Sequence, residues 1–149
     1  MADLEFTRDF SVPPNEVFVF FVPQRMPLWY GVEMESHFEV QGGASDFSAG
    51  QKVRITGVLR NWDVTLTAVI TDYAWERSLE WQFQDSYGVR GLQRWELEPI
   101  PGGTRLTMRD SYRMPELFGR ILDAVFTRFA VSQRDEAWLD RLQRLAERR

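Results

Sequence analysis

The chain contains no cysteine. It can therefore form no disulfide, supply no thiolate to a metal and use no cysteine nucleophile. A single histidine, His37, stands in 149 residues. One imidazole and no thiol exclude a zinc site of the usual nitrogen and sulfur type, and a Ser-His-Asp triad would have to use His37. No apolar run approaches the roughly 18 residues of a membrane-spanning helix. The first residues lack the basic segment followed by an apolar one that marks a secretory signal. Gly42, Gly43 and Gly50 punctuate a loop without the G-x-x-x-x-G-K-[ST] spacing of a phosphate cradle. The net charge of −4 argues against nucleic acid as a partner. These absences set the expectation of one cytoplasmic domain over residues 1–149, with no metal and no cofactor.

What the chain has in excess is aromatic side chains: 6 Trp, 4 Tyr and 11 Phe. Such residues fill strands and cores, and they also line apolar pockets.

Their placement follows a period of two over most of the length. In residues 3–11, Leu4, Phe6 and Phe10 alternate with Glu5, Thr7 and Asp9, and Arg8 is the charged exception on the apolar face. Pro13-Pro14 ends that strand, and Asn15 to Val22 reads as a short helix, with a second short helix or turns near Pro23 and Pro27. Val32 to Val40 alternates again, placing Met34, Ser36, Phe38 and Val40 on one face and His37 among glutamates on the other. His37 is thus expected at the surface. From Gln51 onward, five alternating runs are separated by turn signals at Arg60-Asn61, Tyr87-Gly88 and Pro101-Gly102-Gly103. Strands with one polar face and short hairpins imply an antiparallel sheet, and seven of them must twist and curl.

The last quarter changes period. Pro115 suits a first helical position, and no proline follows it. Leu117, Phe118, Ile121, Leu122, Val125 and Phe129 fall on one arc; Val131, Trp138, Leu139, Leu142 and Leu145 fall on another, with the shift near Ser132 and Gln133. Glu116–Arg120 and Asp140–Arg144 are i,i+4 pairs in the favourable order. A long amphipathic helix is the one element left to cover the concave face of the sheet.

The order strand, small helices, six strands, long helix resembles the START-like helix-grip superfamily. That superfamily includes the birch-pollen-allergen fold and the polyketide cyclase/dehydrase and lipid-transport group. The likeness is carried by Val12-Pro13-Pro14-Asn15-Glu16-Val17-Phe18, by Trp95-Glu96-Leu97-Glu98-Pro99 with Gly102-Gly103-Thr104-Arg105-Leu106-Thr107 behind it, and by Ser111-Tyr112-Arg113-Met114-Pro115. It implies an α+β fold: a curved seven-stranded antiparallel sheet wrapped around a long carboxy-terminal helix, with two short helices between the first two strands. It also implies a cavity between sheet and helix. It brings no catalytic residue, because no catalytic motif matches.

The superfamily places the first strand beside the last. Arg8 and Asp110, each the charged exception on an apolar face, are therefore expected to pair at the cavity wall. Ser36, Gln93 and Tyr112 are further polar candidates there. Phe38, Trp62, Trp81, Phe83, Trp95, Met108, Leu122, Phe126 and Phe129 are candidates for the apolar lining. Three functions stand open. The chain binds or transports a small hydrophobic molecule such as a lipid, quinone or polyketide-like aromatic. It acts on such a molecule as a cyclase or dehydratase, with Asp110 or Tyr112 as acid or base. Or it is a module that binds a protein partner.

Overall fold

A computed structural model describes residues 2–115 and 124–148, with the backbone alone for residues 124–129. Seven strands form one antiparallel sheet: β1 (Ala2–Phe10), β2 (His37–Val40), β3 (Lys52–Leu59), β4 (Trp62–Ala74), β5 (Ser78–Asp85), β6 (Arg90–Ile100) and β7 (Gly103–Arg113). Their order across the sheet is β1-β7-β6-β5-β4-β3-β2. A short helix, α1 (Pro14–Phe18), follows β1, and a long one, α2 (Ala124–Ala146), closes the chain. The sheet curves around one layer of helix, which is the helix-grip arrangement the sequence leads one to expect.

Local chemistry explains the turns. β3 and β4 are joined by Arg60 and Asn61, both at positive φ (50° and 70°), the backbone of a two-residue hairpin whose twist matches its strands. Gly103 opens β7 where β1 ends. A Cβ there would stand 1.8 Å from the carbonyl oxygen of Phe10, so only glycine lets the two strands meet.

Two boundaries differ from the sequence reading. α1 stops at Phe18, short of Val22, and the short helix or turn expected near Pro27 is a 3-10 helix at Met26–Leu28, with another at Val32–Met34. β2 begins at His37 rather than Val32, because Gly31 and Glu35 both take left-handed backbone (φ 64° and 53°) and wind the intervening residues into a turn. The inward set survives the change: Met34 and Ser36 are buried, Phe38 and Val40 half-buried. His37 is exposed.

The long helix runs without interruption through Ser132 and Gln133 to Ala146. Residues 116–123, which carry the expected start beside Pro115, the Glu116–Arg120 pair and Leu122, lie outside the described residues. Trp138, Leu139 and Leu142 are buried, as the second apolar arc requires. The helix is tied to β1 and the residue after it by polar contacts. Arg8 bonds Asp140, the Gln143 amide donates to the Asp9 carbonyl at 3.0 Å, and the Ser11 N–H donates to Glu147 at 2.9 Å.

The concave face is closed at one end and less covered at the other. Phe18, Phe21, Trp29, Tyr30, Trp81 and Trp95 form a fully buried aromatic cluster, with ring centroids 5.0 to 6.0 Å apart for neighbours such as Phe21–Trp29, Tyr30–Trp81 and Trp29–Trp95. Edge-to-face contacts of this kind add about 1 kcal/mol each to the area they bury. Towards the β3–β4 turn the inward side chains Phe38, Val64 and Leu66 are only half-buried.

Candidate functional site

The strand register sets one transverse row on the concave face. Leu4 faces Asp110, Asp110 faces Gln93, Gln93 faces Trp81, and Trp81 faces Ile70. Three members of an otherwise apolar surface thus bring polar atoms to its centre, and each is at most 1% exposed. The Gln93 side-chain oxygen accepts from the Tyr30 hydroxyl at 2.7 Å and from the Trp81 indole N–H at 2.9 Å. Its amide group points at Asp110 Oδ2, 3.4 Å away.

Helix α2 completes the cluster from above. Asp135 falls on the same stripe as Val131, Trp138, Leu139 and Leu142, four residues after the first and four before Leu139, and is buried with the last three. Arg134, its neighbour, donates from Nη2 to Asp110 Oδ2 at 3.2 Å. It also donates to Asp135 Oδ1 from Nη2 at 3.1 Å and from Nε at 3.2 Å. The guanidinium lies 4.4 Å from the Trp138 ring centre, a cation–π contact that holds it over the site. Arg134 is the cluster's opening to its surroundings, with 37% of its side chain exposed.

The charge balance follows from the bonding. After Arg134 and Gln93 are counted, Asp110 Oδ1 and Asp135 Oδ2 are buried without a hydrogen-bond partner among the described residues. A proton on Asp135 removes one buried charge beside Asp110 and the Arg134 guanidinium. Burial is the main cause that pushes the Asp135 carboxyl up to about 9. Arg134 draws it down, and Asp110 raises it further by hydrogen bond and charge. Burial likewise pushes the Tyr30 hydroxyl up, so it stays a donor. At neutral pH Asp135 is therefore protonated, Arg134 positive, and Tyr30 and Gln93 neutral.

Several sequence candidates meet here: Trp81, Gln93 and Asp110 belong to the cluster. Phe83, Trp95, Met108 and Tyr112 are buried on the same concave face, and Phe38 is half-buried beside Tyr30 (5.9 Å between ring centres). Ser36 donates to the Tyr30 carbonyl at 2.6 Å and so fixes the segment that carries the Tyr30 ring.

Two expectations fail. Arg8 does not pair with Asp110. It sits opposite Leu106, four residues along β1 from Leu4, and is bonded to Asp140 and Gln143 of α2. The partner of Asp110 is Arg134. Trp62 does not face the interior: it is 66% exposed at the β3–β4 turn, stacked edge-on against Tyr87. The side chains of Phe126 and Phe129 lie outside the described residues.

Tyr30, Arg134 and Asp135 were missed. A signal existed for Asp135, the one acid on the buried arc of α2. None existed for Tyr30, which lies in a segment without periodicity.

The sequence matches the family described as "Polyketide cyclase / dehydrase and lipid transport" over residues 1–147. No curated protein matches. Among solved structures, the chain is similar to an uncharacterised protein from Rhizobium leguminosarum, with a TM-score of 0.77 and 20% identity over 99% of this chain and 95% of that one. It is similar to a protein from Chromobacterium violaceum at a TM-score of 0.75 and 14% identity, covering both chains completely. A protein of the dynemicin biosynthetic locus matches at a TM-score of 0.71 and 17% identity, over 98% of this chain and 47% of that one. At these identities the structural likenesses establish the fold alone. Among the described residues, no helix is long and apolar enough to cross a membrane, and no group of three or more His, Asp or Glu is placed to hold a metal ion.

Proposed function

The chain belongs to the polyketide cyclase/dehydrase and lipid-transport family, and on that premise we propose that it holds a small hydrophobic molecule between the concave face of the sheet and α2. A lipid, a quinone or a polyketide-like aromatic has the required character. The apolar body lies against Phe83, Trp95, Met108 and Tyr112, and the polar end meets the Asp110–Arg134–Asp135 cluster. Leu122, Phe126 and Phe129 belong to the same proposed lining.

The observation that carries this reading is the cluster itself. Replacing a buried ion pair by well-packed apolar groups is often neutral or stabilising, so folding alone gives no reason to keep three ionisable groups under a helix. A ligand with a hydroxyl or carbonyl gives one. The partial covering of Phe38, Val64 and Leu66 supports an approach from the β3–β4 end.

A second reading, an enzyme of the cyclase/dehydratase type, draws on the proton that burial holds on Asp135. A carboxyl raised towards neutral pH is suited to giving and taking a proton in one site.

Native mass spectrometry of the purified protein tests both. A non-covalent mass increment that disappears on organic extraction supports binding. Time-dependent change in the extracted molecule on incubation with the protein supports the enzyme. A protein that carries nothing, and that does not take up a panel of long-chain acids, quinones and aromatic polyketides, overturns the proposal.

A further inference from the structure

The outer face of the sheet carries a row of arginines on β6 and β7, and most are neutralised. Arg94 is bonded to Asp72, Glu80 and Glu96, Arg105 to Asp9, and Arg109 to Glu5. The last two follow from the register, which sets Asp9 against Arg105 and Glu5 against Arg109. The next outward arginine of β7, beyond Ser111, is Arg113, and there the pattern runs out, because among the described residues β1 pairs only as far as Ala2 opposite Tyr112. On its other side Arg113 stands directly opposite Arg90 of β6. Both arginines are exposed, and neither bonds a carboxylate among the described residues. Asp3, opposite Ser111, is the nearest acid by register and sits diagonal to Arg113. Like charges placed directly across two strands oppose sheet formation.

These arginines flank an open groove of about 950 Å³ on the outer surface of β4 to β7. Thr67, Gln82, Gln84 and Ser111 bring hydroxyls and amides to it, and Val69 and Leu92 bring an apolar strip. One carboxylate, Asp85, also lines it, and its Oδ1 is occupied by the N–H groups of Tyr87 and Val89. Two free guanidinium groups therefore face one engaged acid, beside donors and an apolar surface.

We propose that this groove binds a small soluble organic anion, a phosphate ester or carboxylate with an aromatic or alkyl body. The anionic group sits between Arg90 and Arg113, and the body lies along Val69 and Leu92. Planar forks of donors suit both oxyanions, and the bound charge removes the repulsion between the arginines. The site lies on the opposite face of the sheet from the buried cluster, so it stands or falls separately from the ligand reading above.

The test uses phenyl phosphate as the probe, followed by amide chemical shifts of the full chain, with sodium chloride matched for ionic strength. Saturable shifts at Thr67, Leu92 and Ser111 are expected in the wild type. In Arg90→Gln/Arg113→Gln the dissociation constant should rise by about tenfold or more, since charge-assisted bonds are about twice as strong as neutral ones. Without anion, each single variant should melt at a higher temperature than the wild type, and phenyl phosphate should raise the melting temperature of the wild type alone. Absence of saturation below about 10 mM, a weak-binding limit by affinity arithmetic, overturns the proposal. So does a dissociation constant unchanged in the double variant, or a lower melting temperature in both single variants. Sedimentation with phosphatidylglycerol vesicles that depends on both arginines, without any phenyl phosphate shift, overturns the soluble-ligand assignment in favour of a lipid head group.

Discussion

Asp135→Asn isolates the proton that burial holds on Asp135. Asp135 is held at about 9 in the folded chain against an ordinary value of 3.8. A raised carboxyl binds its proton more tightly folded than unfolded. Between about pH 4 and pH 9 the folded state therefore holds one proton that the unfolded state has released. The linkage relation then makes stability fall as pH rises, by about 1.4 kcal/mol per pH unit. The stabilising effect of that proton is complete below the unfolded value and is lost as pH climbs through the folded one. Over the three units from pH 5 to pH 8 the loss from this group is on the order of 4 kcal/mol, an upper value for a group coupled to Asp110. Asparagine keeps the shape, offers its oxygen to Arg134 and its amide to Asp110, and does not titrate. The variant should fall close to the wild type in stability at pH 5 and exceed it progressively towards pH 8. Urea unfolding of both proteins at pH 5, 6, 7 and 8 reads this directly as a stability difference that grows with pH. A difference independent of pH would refute the raised Asp135 carboxyl and its neutral state in the cluster.

The Arg8–Asp140 bridge should couple weakly. Both side chains are partly exposed (23% and 54%), so a double-mutant cycle with Arg8→Met and Asp140→Asn should give about 0.5 kcal/mol. The same cycle between Arg8 and Asp110 should be additive within error, and chemical denaturation checks both. The two tryptophans expected to share a wall should behave oppositely. Trp81→Ala, at a fully buried ring, should cost about 3 to 5 kcal/mol, while Trp62→Ser at the exposed turn should stay within about 0.5 kcal/mol. Thermal melts separate the two outcomes by many degrees.

Much of the scaffold was legible in the residue pattern because alternation is a local property. The inward sets of β3 to β7 follow from period two, and the buried stripe Trp138-Leu139-Leu142 follows from the helical period. Asp135 is legible too, as the carboxyl in that stripe, four residues from Val131 and from Leu139. The left-handed turn at Gly31 to Glu35 was not, since nothing in Val32–Met34 distinguishes a 3-10 turn from the start of a strand.

The amino-acid order by itself settled which face of each strand goes inside, where the chain turns and that a long helix must cover the sheet, since these depend on neighbours a few residues apart. Only the tertiary structure decided which charges meet. Arg8 and Asp110 share a face and adjoining strands, yet the register sets them four residues out of step, and the rotation of α2 puts Asp140 over one and Arg134 over the other. Partners more than 20 residues apart are fixed by how whole elements lie against each other, and no local pattern records that.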